Sequence, residues 1–149
     1  EKEESIREVV ATSGGVCVAA IDQEDRLLLV NSSRYPYGKE LLELPPEKSS
    51  WAKTRANVAF GNYGGMWLYC DRFEKLAQLY PTPAYCTEVI HISAQALHES
   101  VQKLDDGEFL DVLRIPFAQA VQMVMDGEIS DAKTQIGILK LHLLRSGGK

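Results

Sequence analysis

The sequence predicts an α/β (α+β) domain in which helices pack on the faces of a mixed β-sheet, an α/β/α sandwich. Short β-branched segments separated by turn residues fill the first two thirds of the chain, and two helical patterns close it. The length of 149 residues suits a single hydrophobic core. A composition of 45% hydrophobic and 25% charged residues is typical of a soluble globular protein. We assign residues 1–8 to a polar lead-in, 9–145 to the domain and 146–149 to a C-terminal tail.

The first elements form a predicted hairpin followed by a short strand. Residues 9–21 and 27–30 carry apolar, β-branched runs, and the polar stretch 22–25 between them is typical of a turn. Residues 31–39 are rich in turn formers, and Pro36 and Gly38 interrupt any regular element there. A short strand is predicted over residues 41–44, ended by Pro45 and Pro46.

The second half of the chain begins with an irregular stretch. A helix is predicted over residues 51–60, with Ser49 or Ser50 as its N-cap, while residues 66–69 are too few to classify. Strands are predicted over residues 76–80, 88–96 and 109–115, with a turn at 81–83 and an acidic loop at 101–107.

Two helices follow the last strand. The first has one apolar face, formed by Phe117, Ala120, Val121, Val124 and Met125. The second begins after Ser130 or Asp131, and its predicted apolar stripe is Ala132, Ile136, Leu139 and Leu143. Residues 146–148 end it.

Charge and cysteine content exclude several classes of protein. A net charge of −5 argues against nucleic-acid binding through bulk electrostatics. No apolar run approaches the roughly 18 residues that a membrane-spanning helix needs, and the charged N-terminus predicts no secretory signal. Cys17, Cys70 and Cys86 are odd in number and far apart, which argues against a disulfide framework or a structural zinc site. We therefore expect a cytoplasmic protein.

Several segments together resemble one known family. They are the hairpin of residues 14–30 with the loop carrying Arg34, the strand 40–45 (ELLELP), the proline-bracketed loop 79–88 (LYPTPAYCTE), and the C-terminal segments 108–116 and 126–134. In order and spacing they are similar to the Nudix (MutT-like) superfamily, in its ADP-ribose and nucleoside-diphosphate-sugar pyrophosphatase branch. The resemblance covers most of residues 9–145. It implies the Nudix fold, hydrolysis of nucleoside diphosphate derivatives, a Mg²⁺ cofactor and a homodimer.

The segment that carries the family's chemistry departs from the family pattern. A Nudix box has a glycine, a run of residues and then Arg-Glu-x-x-Glu-Glu on a helix, so that glutamates at i, i+3 and i+4 hold Mg²⁺ on one helical face. This chain has no acidic residue from Lys48 to Cys70. The sequence therefore predicts no metal site and no cofactor.

The same segment is also poor in helix formers. It holds three glycines at positions 61, 64 and 65, and glycine disfavours a helix. We expect the box helix to be shortened or broken, with some of the nearby large side chains filling the former metal cavity or a dimer interface. These are Phe60, Tyr63, Met66, Trp67 and Tyr69.

Four residues are candidates for a site through the resemblance. Arg34 matches an arginine that reaches substrate phosphates, a task suited to a guanidinium fork, and it could equally be an exposed loop arginine. Glu43 corresponds to a substrate-orienting position or pairs with a nearby lysine. Glu88 corresponds to a substrate-binding position or is a solvated loop carboxylate. Glu88 and Glu108, the latter beside Asp105 and Asp106, are the candidate catalytic acids or bases.

These observations leave two functions. The first is a non-catalytic Nudix-like domain, a pseudoenzyme that binds a nucleoside diphosphate ligand or a partner. The second is a hydrolase of ADP-ribose or nucleotide sugars whose site is rebuilt from Glu43, Glu88 and the 105–108 loop with Mg²⁺.

Overall fold

The computed structural model describes residues 5–47, 58–59, 66–102 and 112–147. These residues form eight strands, one short 3₁₀ turn and two helices. The strands are β1 (Gly15–Ile21), β2 (Arg26–Arg34), β3 (Lys39–Glu43), β4 (Pro46–Glu47), β5 (Val58–Ala59), β6 (Met66–Leu79), β7 (Ile90–Gln102) and β8 (Val112–Pro116); the 3₁₀ turn spans Tyr35–Tyr37, and the helices are α1 (Phe117–Met125) and α2 (Ala132–Arg145).

All the strands belong to one mixed sheet, which confirms the predicted fold class. Six of them lie in the order β3-β2-β1-β7-β6-β5, while β4 pairs with β1 and β8 pairs with β2. The pairing of β1 with β7 is parallel, and the other pairings are antiparallel. The central strands β1 and β2 carry long apolar runs because they are covered on both faces.

Both described helices contribute to one apolar cluster on a face of the sheet. Cys17 and Ala19 of β1 pack there with Leu27 and Leu29 of β2, together with Phe117, Ala120 and Val124 of α1 and Ile138 of α2. A second, smaller cluster on the alternate positions joins Val18, Ala20, Leu28 and Leu97. No helix in the described ranges is long and apolar enough to cross a membrane.

The buried face of α2 differs from the predicted stripe. Ile136 and Leu143 are 40% and 61% exposed, whereas Thr134, Gly137 and Ile138 are buried. Gly137 allows the close approach of the sheet, because a Cβ atom there would lie 2.7 Å from Leu44 Cδ1. The predicted stripe is therefore wrong except at Leu139, which is partly buried against the core, while the helix and its Asp131 N-cap are confirmed. The apolar face of α1 is confirmed except for Met125, which is 69% exposed.

Several strand limits also differ from the prediction. β1 begins only at Gly15, because Gly14 has a positive φ of 73° and sits against the Val89 carbonyl; upstream, Val10 forms an isolated bridge with Cys86. β2 continues through the polar residues 31–34, since these pair with β3. β6 and β7 are 14 and 13 residues long, so residues 66–75 and 101–102 are strand rather than unclassified or loop.

The altered segment contains strand where a helix is predicted. Val58 and Ala59 pair with Cys70 and Tyr69, so the helix predicted over residues 51–60 is wrong at its C-terminal end. A regular box helix through residues 53–66 is excluded by β5 and by the start of β6 at Met66, as expected. The remainder of residues 48–65, and the side chains of the predicted aromatic filling, lie outside the described part of the chain.

Candidate functional site

The candidate site lies where the β2–β3 hairpin meets the first turn of α2. Arg34 is the last residue of β2 and Glu43 the last of β3, and the strands are connected through the Tyr35–Tyr37 turn. Gly38 closes this turn in the left-handed conformation with φ 60°, which glycine adopts at little cost. Lys133 approaches from α2, 90 residues further along the chain than Glu43.

The Glu43 carboxylate is the centre of this arrangement. Its side chain is 3% exposed. Arg34 donates from Nε to Oε1 at 2.5 Å and from Nη2 to Oε2, and Lys133 Nζ donates to Oε2 at 2.8 Å. A buried carboxylate requires such partners, because an uncompensated charge away from water is costly.

Asp131 extends the network and caps α2. Its Oδ1 accepts from Lys133 Nζ at 2.8 Å, and its Oδ2 accepts from the Thr134 amide at 3.0 Å and the Thr134 hydroxyl at 2.6 Å. Thr134 Oγ1 in turn accepts from the Leu44 amide at 2.9 Å. We call Arg34, Glu43, Asp131 and Lys133 the Glu43 cluster. It fastens the start of α2 to the end of β3.

The charges of the Glu43 cluster stabilise one another. Burial alone would raise the pKa of Glu43, but hydrogen bonds from Arg34 and Lys133 outweigh it and hold the pKa below its usual value. Burial likewise opposes the charge on Lys133, yet hydrogen bonds to Asp131 and Glu43 leave its pKa raised. Glu43, Arg34 and Lys133 are therefore all ionised at neutral pH.

Cys17 is a buried thiol near the cluster. Burial raises its pKa to about 12, against a lowering effect of Lys133. The thiolate is the reactive form of cysteine, so Cys17 is inert as a nucleophile.

The chemistry open to the cluster follows from which atoms remain available. Both Glu43 oxygens accept from cations, so this carboxylate is poorly suited to act as a general base or a metal ligand. Arg34 is different, because its side chain is 46% exposed and its bonds to Glu43 use only Nε and Nη2. The outer edge of the guanidinium can bind an oxyanion from solvent.

The described residues do not fit the Mg²⁺ that the resemblance implies. Nowhere in residues 5–47, 58–59, 66–102 and 112–147 do three or more His, Cys, Asp or Glu side chains come together to hold a metal ion. The buried Glu43 and the half-buried Asp131 are already paired with Arg34 and Lys133.

The other predicted site residues are not part of the cluster. Glu88 is half-buried in the loop before β7, and within the described ranges it forms no ion pair with the cluster. Glu108, Asp105 and Asp106 lie outside the described residues.

Sequence reasoning missed the helix side of the cluster. Asp131 was identified only as one of two candidate N-caps, and Lys133 was not singled out. The available signal was a lysine two residues after an N-cap aspartate, which places both side chains at one helix end.

Comparison with known proteins identifies relatives of the whole domain. The chain is 29% identical over 143 residues to a methanol dehydrogenase activator from Bacillus methanolicus and 27% identical over 143 residues to an ADP-ribose pyrophosphatase from Bacillus subtilis; each match covers 93% of this chain and 77% of the relative. A GDP-mannose pyrophosphatase from Yersinia enterocolitica is 37% identical over 68 residues, covering 43% of this chain and 36% of the relative.

A solved structure supports the same relationship at the level of fold. The crystal structure of an ADP compounds hydrolase superposes with a TM-score of 0.65 at 16% identity, covering 93% of this chain and 77% of that one. No protein-family model matches the chain.

Proposed function

We propose that this chain, which has the Nudix fold and is related to the ADP-ribose and GDP-mannose pyrophosphatases, binds a nucleoside diphosphate ligand without hydrolysing it. The observation that carries the proposal is the state of the Glu43 cluster. Its carboxylates are paired within the protein, while the Arg34 side chain is 46% exposed. The cluster is thus suited to hold an anion and unsuited to activate water.

The lack of hydrolysis follows from the chemistry of diphosphate cleavage. Metal-assisted hydrolysis needs divalent ions to activate water and to neutralise developing charge. Carboxylates supply most of the affinity of such sites, and the chain has none between Lys48 and Cys70.

The class of ligand follows from the relatives and from Arg34. Two relatives are named for ADP-ribose and GDP-mannose, which both carry a diphosphate between a nucleoside and a sugar. A planar guanidinium offers two parallel N–H groups to such a diphosphate, which a lysine cannot do.

Calorimetric titration of ADP-ribose and GDP-mannose in a metal-free buffer tests the proposal. Arg34→Ala is expected to weaken binding by about 1–3 kcal/mol, the scale of a hydrogen bond to a charged group. Arg34→Lys keeps a cation for Glu43 but removes the fork, so it separates ligand binding from stability. Arg26→Ala is the matched control, because Arg26 lies at the other end of β2 and pairs with Asp22 and Glu24. An unchanged dissociation constant in both Arg34 variants would contradict the proposal.

Hydrolysis is the second candidate, favoured by the pyrophosphatase names of the relatives. It requires a site rebuilt from Glu88 and the 105–108 loop. Product release from ADP-ribose in Mg²⁺ or Mn²⁺, abolished by Glu88→Gln or Glu108→Gln, would establish this alternative in place of simple binding.

The proposal also includes a cytoplasmic homodimer. Cys17 and Cys86 are free thiols, which suits a reducing compartment. The helices expose apolar side chains at Met125, Ile136 and Leu143. Analytical ultracentrifugation tests the dimer directly.

A further inference from the structure

The segment around residues 45–70 differs abruptly from what flanks it. The matches to two relatives run over 143 residues and therefore extend on both sides of it. Within it, acidic residues vanish between Lys48 and Cys70 and glycines accumulate. Gradual loss of a metal site substitutes a few ligands, whereas a whole stretch that changes character together points to a displaced reading frame.

Each residue restricts the codon that encodes it, so the displaced reading frame can be partly reconstructed from the amino-acid sequence. Moving the frame back by one nucleotide joins the third base of one codon to the first two bases of the next. Trp51 (TGG) and Ala52 (GCN) then read GGC, which is glycine for any choice of synonymous codon. Asn62 (AAY) and Tyr63 (TAY) read CTA or TTA, and both encode leucine.

The same displaced frame encodes arginine and glutamate when certain synonymous codons are used. Phe60 followed by Gly61 reads arginine when the third base of the Phe60 codon is C. Gly61 followed by Asn62 reads glutamate when the Gly61 codon ends in G, and Ala52 followed by Lys53 does so when the Ala52 codon ends in G. Arginine, glutamate and leucine thus stand in succession.

A second displacement continues the pattern. From Gly64 onward the codons are read from the second base. Gly64 and Gly65 each read as glutamate when their codons end in A. Met66 with Trp67 then reads cysteine, and Trp67 with Leu68 reads glycine, whichever codons are used.

We infer that residues 45–70 are an out-of-frame reading of a gene segment that encodes a carboxylate-bearing helix for a divalent cation. With the third bases named above, the displaced frames spell Arg-Glu-Leu-x-Glu-Glu, with glutamates at i, i+3 and i+4 on one helical face. Three single-nucleotide losses, near Pro45, at Gly64 and near Tyr69, produce both displacements, restore the frame at residue 71 and shorten the chain by one residue. The mismatch between this fold and its expected metal is thereby confined to one segment.

Two buried polar side chains of β7 are consistent with a missing neighbour. On the face of the sheet that holds Val18 and Ala20, Ser93 Oγ and both polar atoms of Gln95 are buried and have no hydrogen-bond partner in the described part of the chain. Buried polar side chains almost always have partners. Within the described residues, these atoms therefore mark a place on this face where a polar neighbour is expected.

The inference goes beyond the proposed function and is tested first on the gene. The third bases of the codons for Ala52, Phe60, Gly61, Gly64 and Gly65 must be G, C, G, A and A. These are synonymous positions, so the protein sequence dictates none of them. Any other base at one of these five positions removes a carboxylate, or at Phe60 the arginine, from the displaced reading and overturns the inference.

The second test restores the frame by inserting one nucleotide at each of the three places. Titration with Mn²⁺ alone is expected to show binding at least about 100-fold tighter in the restored chain than in the present one, because ligand carboxylates dominate such sites. The matched control is the restored chain with the glutamate read across Gly61 and Asn62 changed to glutamine, which must lose this gain. A restored chain that folds by circular dichroism and binds Mn²⁺ no more tightly would overturn the metal assignment. Neither result alters the metal-free Arg34 titration, so the two proposals fail separately.

Discussion

Replacing Glu43 by glutamine is the sharpest test of the Glu43 cluster. Glu43→Gln keeps the shape of the side chain but removes its charge, which weakens two bonds from Arg34 and one from Lys133. Breaking a buried ion pair costs about 3–5 kcal/mol, but Arg34 is 46% exposed, so its share is discounted for screening by solvent. Lys133 is 18% exposed and retains Asp131. We therefore expect the free energy of unfolding to fall by about 2–3 kcal/mol, the scale of a charged hydrogen bond.

Urea denaturation followed by circular dichroism measures this loss. Glu40→Gln is the matched control, since Glu40 is an exposed carboxylate on the same strand, and its effect is expected to stay within about 0.5 kcal/mol. A double-mutant cycle with Lys133→Met isolates the pair, with an expected interaction energy of about 1–3 kcal/mol. A Glu43→Gln loss no larger than that of Glu40→Gln would refute the reasoning that this carboxylate is held by both cations.

Three further predictions follow from the same contacts. The pKa of Glu43 lies below its ordinary value of 4.5, so the folded state binds fewer protons than the unfolded state. The stability that Glu43 contributes is therefore present above pH 4.5 and is lost as the pH falls through the folded-state pKa. When stability is measured against falling pH, Glu43→Gln should show a shallower loss than the wild type. Gly137→Ala should lower the free energy of unfolding by about 1–3 kcal/mol despite better helix propensity, since the new methyl meets Leu44 Cδ1 at 2.7 Å; a more stable variant in thermal denaturation would contradict this. Cys17 has a pKa of about 12 and is buried, so folded wild type and Cys17→Ser should take up equal amounts of a thiol label at pH 8, and fewer labels on the variant would show that Cys17 reacts.

The fold was predictable where the buried residues of an element follow one regular spacing in the sequence. The apolar runs of β1 and β2, and the helical face of α1, identify their elements because each buries several neighbours at one periodicity. The buried face of α2 was not predicted, because Thr134 and Gly137 are not counted as apolar residues. Both face the sheet for other reasons: Thr134 accepts a hydrogen bond from the Leu44 amide, and Gly137 leaves room for the Leu44 side chain. The full length of β6 was not predicted, in part because the strand is bulged. A register shift between Lys75 and Ala77 breaks the strict alternation of its two faces.

The site was predictable by residue but not by pairing. Arg34 and Glu43 could each be identified from the local sequence, and the two bonded residues are only nine positions apart in the chain. Lys133 comes from 90 residues away, and no periodicity connects positions at that distance. Because Lys133 binds the same carboxylate oxygen as Arg34, it changes Glu43 from a candidate ligand-binding group into an internal partner.

The position of the described core explains how this fold accommodates an altered segment. Among the residues whose burial the structure describes, the buried members of the larger apolar cluster lie within residues 17–44 and 76–138, and these join the sheet to both helices. Burying a single leucine or isoleucine stabilises a protein by about 1.5–3 kcal/mol, and Leu27, Leu29, Leu44, Ile92, Ile129 and Ile138 are each essentially inaccessible to solvent. The Glu43 cluster, which fastens α2 to β3, also draws all its residues from outside residues 45–70. The described side chains that hold α1, α2 and Arg34 on the sheet therefore lie outside residues 45–70.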